Sequence, residues 1–162
     1  MKQFNELYEE NKKLDEIFNN LYDNSQDIFE KNVLELLVEL GELANETRCF
    51  KYWSNKGPSD KSIVLDEFAD CILMVLCFCN MLKVTLTEDF EEPKDENNLT
   101  QQFIYLYHES SKLLNDFSKD RIKRILVNLV KLGNLIGFND ADIINGGLLK
   151  IERNKTRFES GF

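Results

Sequence analysis

The feature that most constrains the fold is a helical spacing of apolar residues that runs through most of the chain with few breaks. Apolar side chains recur every three or four residues, as they do on one face of an α-helix. The 162 residues include only two prolines and seven glycines, and no segment shows the alternation typical of a half-buried strand. The pattern predicts an all-α bundle of five or six helices that forms one domain, residues 1–162.

Turn residues mark the ends of the predicted helices. The segment SNKGPSD ends the second helix, and Ser59 or Asp60 is suited to cap the third. The acidic stretch TEDFEEPKDENN is predicted to be a surface loop. The predicted helices cover about residues 3–22, 26–52, 60–82, 99–117, 119–135 and 140–158.

Composition excludes several classes of protein. The net charge is −9, with 29 acidic against 20 basic residues, which argues against a broad nucleic-acid-binding surface. The longest apolar run, CILMVLCFC, is about half the length that spans a bilayer, and the polar N-terminus is not a signal peptide. We therefore expect a cytoplasmic protein with no membrane partner. The chain has four cysteines: Cys49, Cys71, Cys77 and Cys79. Their spacing suits neither a disulfide framework nor a zinc site, so we interpret them as small buried apolar residues.

Four glutamates fall on one face of the second predicted helix, in ELLVELGELANE: Glu35, Glu39, Glu42 and Glu46. Like charges at this spacing repel, so the face either lies in solvent or binds a divalent cation. The third predicted helix favours the cation, because Glu67 and Asp70 precede a stretch that is apolar nearly all round. Buried carboxylates without a partner are costly, and these two need cations.

Carboxylates three residues apart on each of two packed helices would form an all-oxygen site suited to Mg²⁺ or Mn²⁺. A di-iron site would normally add a histidine, and the single histidine, His108, lies outside these helices. Magnesium in an acidic pocket usually recruits substrate phosphates. The residues thus indicate phosphate or diphosphate chemistry with a metal-activated water.

The pattern Glu39-x-x-Glu42 followed by Glu67-x-x-Asp70 resembles the all-α nucleoside triphosphate pyrophosphohydrolases, which include MazG-like enzymes and dimeric dUTPases. The string ELLVELGELANETRCFKYWSNK is similar to the dimeric dUTPases in their Gram-positive bacterial and phage form. The resemblance implies a homodimer that cleaves dUTP, and as a further candidate dUDP, without a nucleic-acid partner. It also implies that these four acids bind Mg²⁺ and that Glu42 orients the attacking water.

The resemblance also implies substrate contacts in three other segments. Lys51 would meet a phosphate and Trp53 would pack near the base, although a core tryptophan is the alternative. Asn11 and Asp15 would contact uracil, with the alternative that both are surface residues of an exposed helix. We expect Glu35 to face solvent.

The C-terminal segment KIERNKTRFESGF matches the end of the family in five residues: Lys150, Asn154, Arg157, Gly161 and Phe162. The first three share a helix face, as an anion clamp requires. The alternative is that basic residues complement the helix C-terminus. Phe158 stands where relatives commonly have glutamine.

Two other functions stay open at this stage. One is a MazG-like pyrophosphohydrolase with another nucleotide preference, because Asn11 is shorter than the glutamine that relatives use. The other is a non-catalytic relative that binds a protein regulator, which an enzyme could also bind if the chain is phage-encoded. The apolar face of residues 71–82 fits the core of a dimer or of a monomer.

Overall fold

The computed structural model describes residues 1–22, 28–94 and 98–161. These residues form six α-helices and, within those ranges, no strand, which confirms the predicted all-α fold. Two short 3₁₀ helices, Lys2–Phe4 and Lys112–Leu114, precede α1 and follow α4. The α-helices are α1 Asn5–Leu21, α2 Ile28–Thr47, α3 Lys61–Met81, α4 Leu99–Ser111, α5 Lys119–Ile136 and α6 Asp140–Ser160. The predicted start of α2 near Gln26, part of the predicted 87–98 loop and Phe162 lie outside the described residues.

Two helices end earlier than predicted. α2 stops at Thr47 rather than near residue 52, because Arg48 adopts a left-handed conformation with φ of 58°. α4 gives way to the 3₁₀ turn after Ser111. The predicted side-chain cap of α3 is also wrong: Asp60 makes no capping hydrogen bond, and Ser59 Oγ donates to Glu46 instead.

Helix α3 is the centre of the bundle and packs against α1, α2, α5 and α6. Its apolar residues are buried nearly all round, as Ile72, Val75 and Leu76 illustrate with no exposed surface. The helices of one chain therefore account for the apolar face of residues 71–82. The buried core extends through all six helices. One domain over residues 1–162 stays a prediction.

Close contact between α1 and α6 sets the position of both helices beside α3. A Cβ at Gly147 of α6 would lie 2.6 Å from Leu7 Cδ1 of α1, so any larger residue would force Leu7 to shift. The segments that carry the predicted substrate contacts thereby lie next to the helix that carries Glu67 and Asp70.

The cysteines and the single histidine differ in their exposure. The four cysteines are free; Cys71 and Cys79 are buried, while Cys49 and Cys77 are partly exposed. His108 is exposed on α4. Among the described residues, none of the helices is both long and apolar enough to cross a bilayer.

Candidate active site

Three of the predicted acids converge where α2 packs against α3. Glu39, Glu67 and Asp70 each contribute a carboxylate oxygen, and these oxygens lie within 4.8 Å of one another. Helical spacing produces the arrangement, since Glu67 and Asp70 are three residues apart and share one face of α3. We call these three side chains the carboxylate cluster.

The carboxylate cluster carries more negative charge than its surroundings balance. Burial, followed by the charges of Asp70 and Glu42, raises the pKa of Glu39 to about 8. Burial and the neighbouring acids Glu42 and Asp70 also raise the pKa of Glu67. Burial raises the pKa of Asp70 despite a hydrogen bond from Lys150. Without a cation, the cluster therefore retains protons that isolated carboxylates would release.

The carboxylate cluster fits a hard divalent cation. Glu39 Oε2 is buried and has no hydrogen-bond partner among the residues that the structure describes, so this oxygen is available to bind a cation. Oxygen ligands of Mg²⁺ lie at most about 4.2 Å apart, close to the observed spread. Small side-chain movements would bring all three oxygens onto one ion, and oxygen donors suit Mg²⁺ or Mn²⁺.

Glu42 and Glu46 lie beside the carboxylate cluster rather than in it. Glu42 is exposed and, together with Glu46 and Glu67, lines an open groove of about 500 Å³. Glu46 accepts a hydrogen bond from Ser59 Oγ, and its carbonyl accepts one from the Ser59 amide. Glu46 thus ties the end of α2 to the segment before α3, while Glu42 faces solvent next to Glu67.

A second, deeper cavity of about 360 Å³ adjoins the carboxylate cluster. Glu39 and Asp70 lie in its wall, so the cavity and the cluster are continuous. Glu35 also lines it, and burial followed by the charge of Asp70 raises the pKa of Glu35. Glu35 is exposed, as predicted, and its side chain also borders this cavity. The other lining residues include Asn11, Asp15, Phe18, Asn32, Met74, Cys77, Asn80, Asn154 and Phe158.

Asn11 and Asp15 of α1 line this cavity together, which contradicts the alternative that they belong to an exposed helix surface. Asn11 is 1% exposed, and its amide donates to the Leu73 carbonyl oxygen at 3.1 Å. Asp15 accepts from Cys77 Sγ at 2.7 Å and from Asn80 Nδ2 at 3.1 Å. Burial raises the pKa of Asp15. These bonds fix both side chains at the cavity wall.

The α6 residues reach the same region from the other side. Lys150 is buried and its Nζ lies 2.5 Å from Asp70 Oδ2, so its role is not to complement the C-terminus of α6. Asn154 lines the cavity, and the charge of the exposed Arg157 acts to lower the pKa of Asp70. The predicted clamp face of α6 therefore points toward the carboxylate cluster.

Lys51 and Trp53 are not brought into the deeper cavity. Trp53 is 65% exposed and its ring contacts that of Tyr52 at 5.1 Å between centroids, so the alternative of a core tryptophan is wrong. Lys51 Nζ lies 5.7 Å from the centroid of the Phe50 ring. Both residues belong to the connection between α2 and α3, and their contact with a nucleotide stays a prediction.

Sequence reasoning missed several groups at the site. Asp66 contacts Lys150, and Cys77 and Asn80 hold Asp15. The spacing of Asp66, four residues before Asp70, could have placed it on the same face of α3. Cys77 and Asn80 carry no such signal, because their partner lies on another helix.

A family model described as dUTPase matches residues 3–162. This range contains all six α-helices and every predicted site residue. A search of curated proteins found no match to the chain.

Proposed function

The chain belongs to the dUTPase family, and from that premise we propose how its site hydrolyses dUTP to dUMP and pyrophosphate. The observation that carries the proposal is the continuity of the carboxylate cluster with a cavity lined by amide groups. The carboxylate cluster suits a metal-bound triphosphate, and the amide-lined cavity suits a polar base. A volume of about 360 Å³ is within the usual range for small-ligand sites.

Glu39, Glu67 and Asp70 are proposed to hold Mg²⁺, with Mn²⁺ as a substitute. The cation would neutralise phosphate charge and lower the pKa of a bound water. The unpartnered Oε2 of Glu39 and the crowding of negative charge support this assignment. Glu42, which lines a groove with Glu67, is proposed to accept a proton from the attacking water and to add a further ligand.

Asn11 and Asp15 are proposed to orient the uracil base at the wall of the deeper cavity. An amide provides both a donor and an acceptor, as does a uracil edge. The Asn11 Nδ2 group already donates to the Leu73 carbonyl oxygen, and this bond fixes the orientation of the side chain. The Asn11 amide oxygen is therefore the group that would accept a hydrogen bond from the base. Such a preorganised group discriminates between bases because a mismatched base leaves it unpaired.

The basic face of α6 is proposed to hold the phosphates. Lys150 and Asn154 lie next to Asp70 and the cavity, and Arg157 is close enough to influence Asp70. Arginine binds phosphate oxygens in pairs, and lysine adds a point charge. Lys51 and Trp53 are proposed to approach the nucleotide from the connection between α2 and α3.

The enzyme is further proposed to be a cytoplasmic homodimer of the Gram-positive bacterial and phage branch, with dUDP as a second substrate. Exposed apolar side chains support a partner surface, since Leu34 and Val38 of α2 and Ile104 of α4 are 61%, 49% and 63% exposed. Sizing should give twice the 19.0 kDa of one chain. A regulatory protein partner stays a prediction.

The nucleotide preference is tested by measuring pyrophosphate release from dUTP, dTTP, dCTP and UTP in the presence of Mg²⁺. We expect selective dUTP cleavage. Asn11→Ala should raise the KM for dUTP about tenfold and reduce discrimination against dCTP, whereas Asn20→Ala, at an exposed position of α1, should do neither. Equal cleavage of all four nucleotides would instead indicate a general pyrophosphohydrolase, and no cleavage would indicate a non-catalytic relative.

A further inference from the structure

Lys150 of α6 lies between two carboxylates of α3, Asp66 and Asp70. Its Nζ is 2.5 Å from Asp70 Oδ2 and 3.0 Å from Asp66 Oδ2. Only 8% of the Lys150 side chain is exposed, so water contributes little to its solvation. An ammonium group has three donors, and the two carboxylates engage two of them. These two contacts leave the ammonium group one further donor.

The contact with Asp70 sets up a conflict, because Asp70 is also one of the three carboxylates proposed to bind the cation. A lysine that paired with Asp70 alone would compete with the cation for the same oxygen charge. Asp66 is one helical turn before Asp70 and offers Lys150 a carboxylate that is not in the carboxylate cluster. When a cation occupies Asp70, Lys150 still has a nearby anionic partner.

Asp66 is itself held from a second side. Arg153 of α6 contacts Asp66 Oδ1 through Nη2, while Lys150 contacts Asp66 Oδ2. Both oxygens of one carboxylate therefore bind cations of α6 that are three residues apart, which is nearly one helical turn. This arrangement fixes the rotation of the Asp66 side chain and the register of α6 against α3. Arg153 is not among the residues predicted to form the anion clamp, and its contact with Asp66 gives it a separate role in holding α6 against α3.

We propose that Asp66 is a positioning residue that anchors Lys150 and Arg153 of α6, so that Asp70 stays available to the cation and Lys150 stays directed at the phosphates. The proposal rests on the function proposed above and deepens it. Asp66 touches neither substrate nor cation in this account and acts through Lys150. Its removal should therefore affect both metal binding and substrate binding, but not the chemical step.

The test is a double-mutant cycle on Mg²⁺ binding, measured by calorimetry on metal-free protein without nucleotide. We expect Asp66→Asn to raise the Kd for Mg²⁺ about tenfold, within the range for groups that support ligands. In a Lys150→Met background the same change should raise it by less than about twofold, because the competing ammonium is gone. Glu152→Gln is the matched control, since it removes the same charge from an exposed pair with Lys155 on α6.

Kinetics on the same samples separate this proposal from the function itself. For Asp66→Asn we expect a KM for dUTP raised about tenfold, with kcat at saturating Mg²⁺ and dUTP within about threefold of wild type. An equal loss of Mg²⁺ affinity with and without Lys150 would overturn the proposal, because Asp66 would then act through its own charge. Unchanged Mg²⁺ affinity and KM in a folded Asp66→Asn protein would overturn it as well. Failure of the wild-type protein to cleave dUTP would count against the proposed function instead.

Discussion

Glu39→Gln tests whether the carboxylate cluster destabilises the fold until a cation binds. The pKa of Glu39 is raised from 4.5 to about 8, by burial first and then by Asp70. In metal-free protein, the unfolded chain loses this proton above about pH 4.5, whereas the folded chain keeps it until about pH 8. The free energy of unfolding therefore falls as the pH rises through this window and does not recover above it. Because glutamine cannot ionise, Glu39→Gln should remove this pH-dependent fall in the free energy of unfolding.

The size of the effect follows from the pKa shift. At about 1.4 kcal/mol per pKa unit, the shift corresponds to at most about 5 kcal/mol. Glu39 is only partly buried, and solvent screens its charge, so we expect about 1–2 kcal/mol. For a chain of this length, that stability difference raises the melting temperature by about 2–8 °C.

Thermal unfolding followed by circular dichroism measures the effect in EDTA at pH 5 and pH 9. Glu39→Gln should melt above wild type at pH 9 and near it at pH 5, while the exposed control Glu16→Gln should match wild type at both. Mg²⁺ at a hundredfold excess over its Kd should then stabilise wild type by about 2.7 kcal/mol and the variant far less. A variant that is less stable than wild type at pH 9 without metal, or equal stabilisation of both by Mg²⁺, would refute the reasoning.

Two further predictions concern the scaffold. Gly147→Ala should lower the free energy of unfolding in urea by about 1–2 kcal/mol, because the new Cβ would lie 2.6 Å from Leu7 Cδ1. The control Gly57→Ala should change it by less than about 0.5 kcal/mol, because nothing lies within 4 Å of its new Cβ. Glu109→Gln should cost somewhat less than the about 3–5 kcal/mol typical of a buried pair. Arg121 loses its contact with Glu109 at 2.6 Å but keeps Asp116 at 2.9 Å, and Arg124 is 33% exposed. A urea midpoint equal to that of wild type would contradict the second prediction.

The helices were predictable from the sequence because each depends on local spacing. α1, α3, α5 and α6 lie within a few residues of their predicted ranges. The end of α2 was not predictable, because Arg48 enters the left-handed region without a glycine to signal it. Tertiary contacts decide that position: Arg48 Nη2 donates to Ser54 Oγ, and Arg48 Nε to the Lys56 carbonyl oxygen.

The candidate site was predictable to the same degree and for the same reason. Glu39, Glu67 and Asp70 converge because their spacing on two helices aims them at one point. Glu35 is exposed, as predicted, but one helix alone does not show that it also borders a cavity beside α1, α3 and α6. Asp66 was overlooked because its partners, Lys150 and Arg153, lie more than eighty residues away. Contacts between distant helices carry no pattern that a single sequence displays.

The central claim is that the carboxylate cluster holds the divalent cation on which dUTP hydrolysis depends. The most direct measurement is the rate of pyrophosphate release from dUTP as Mg²⁺ is added to EDTA-treated wild type, Glu67→Gln and Glu16→Gln. We expect wild type and Glu16→Gln to require Mg²⁺ alike, and Glu67→Gln to lose more than about a hundredfold in rate while remaining folded. Full activity of Glu67→Gln, or of wild type in EDTA, would contradict the claim.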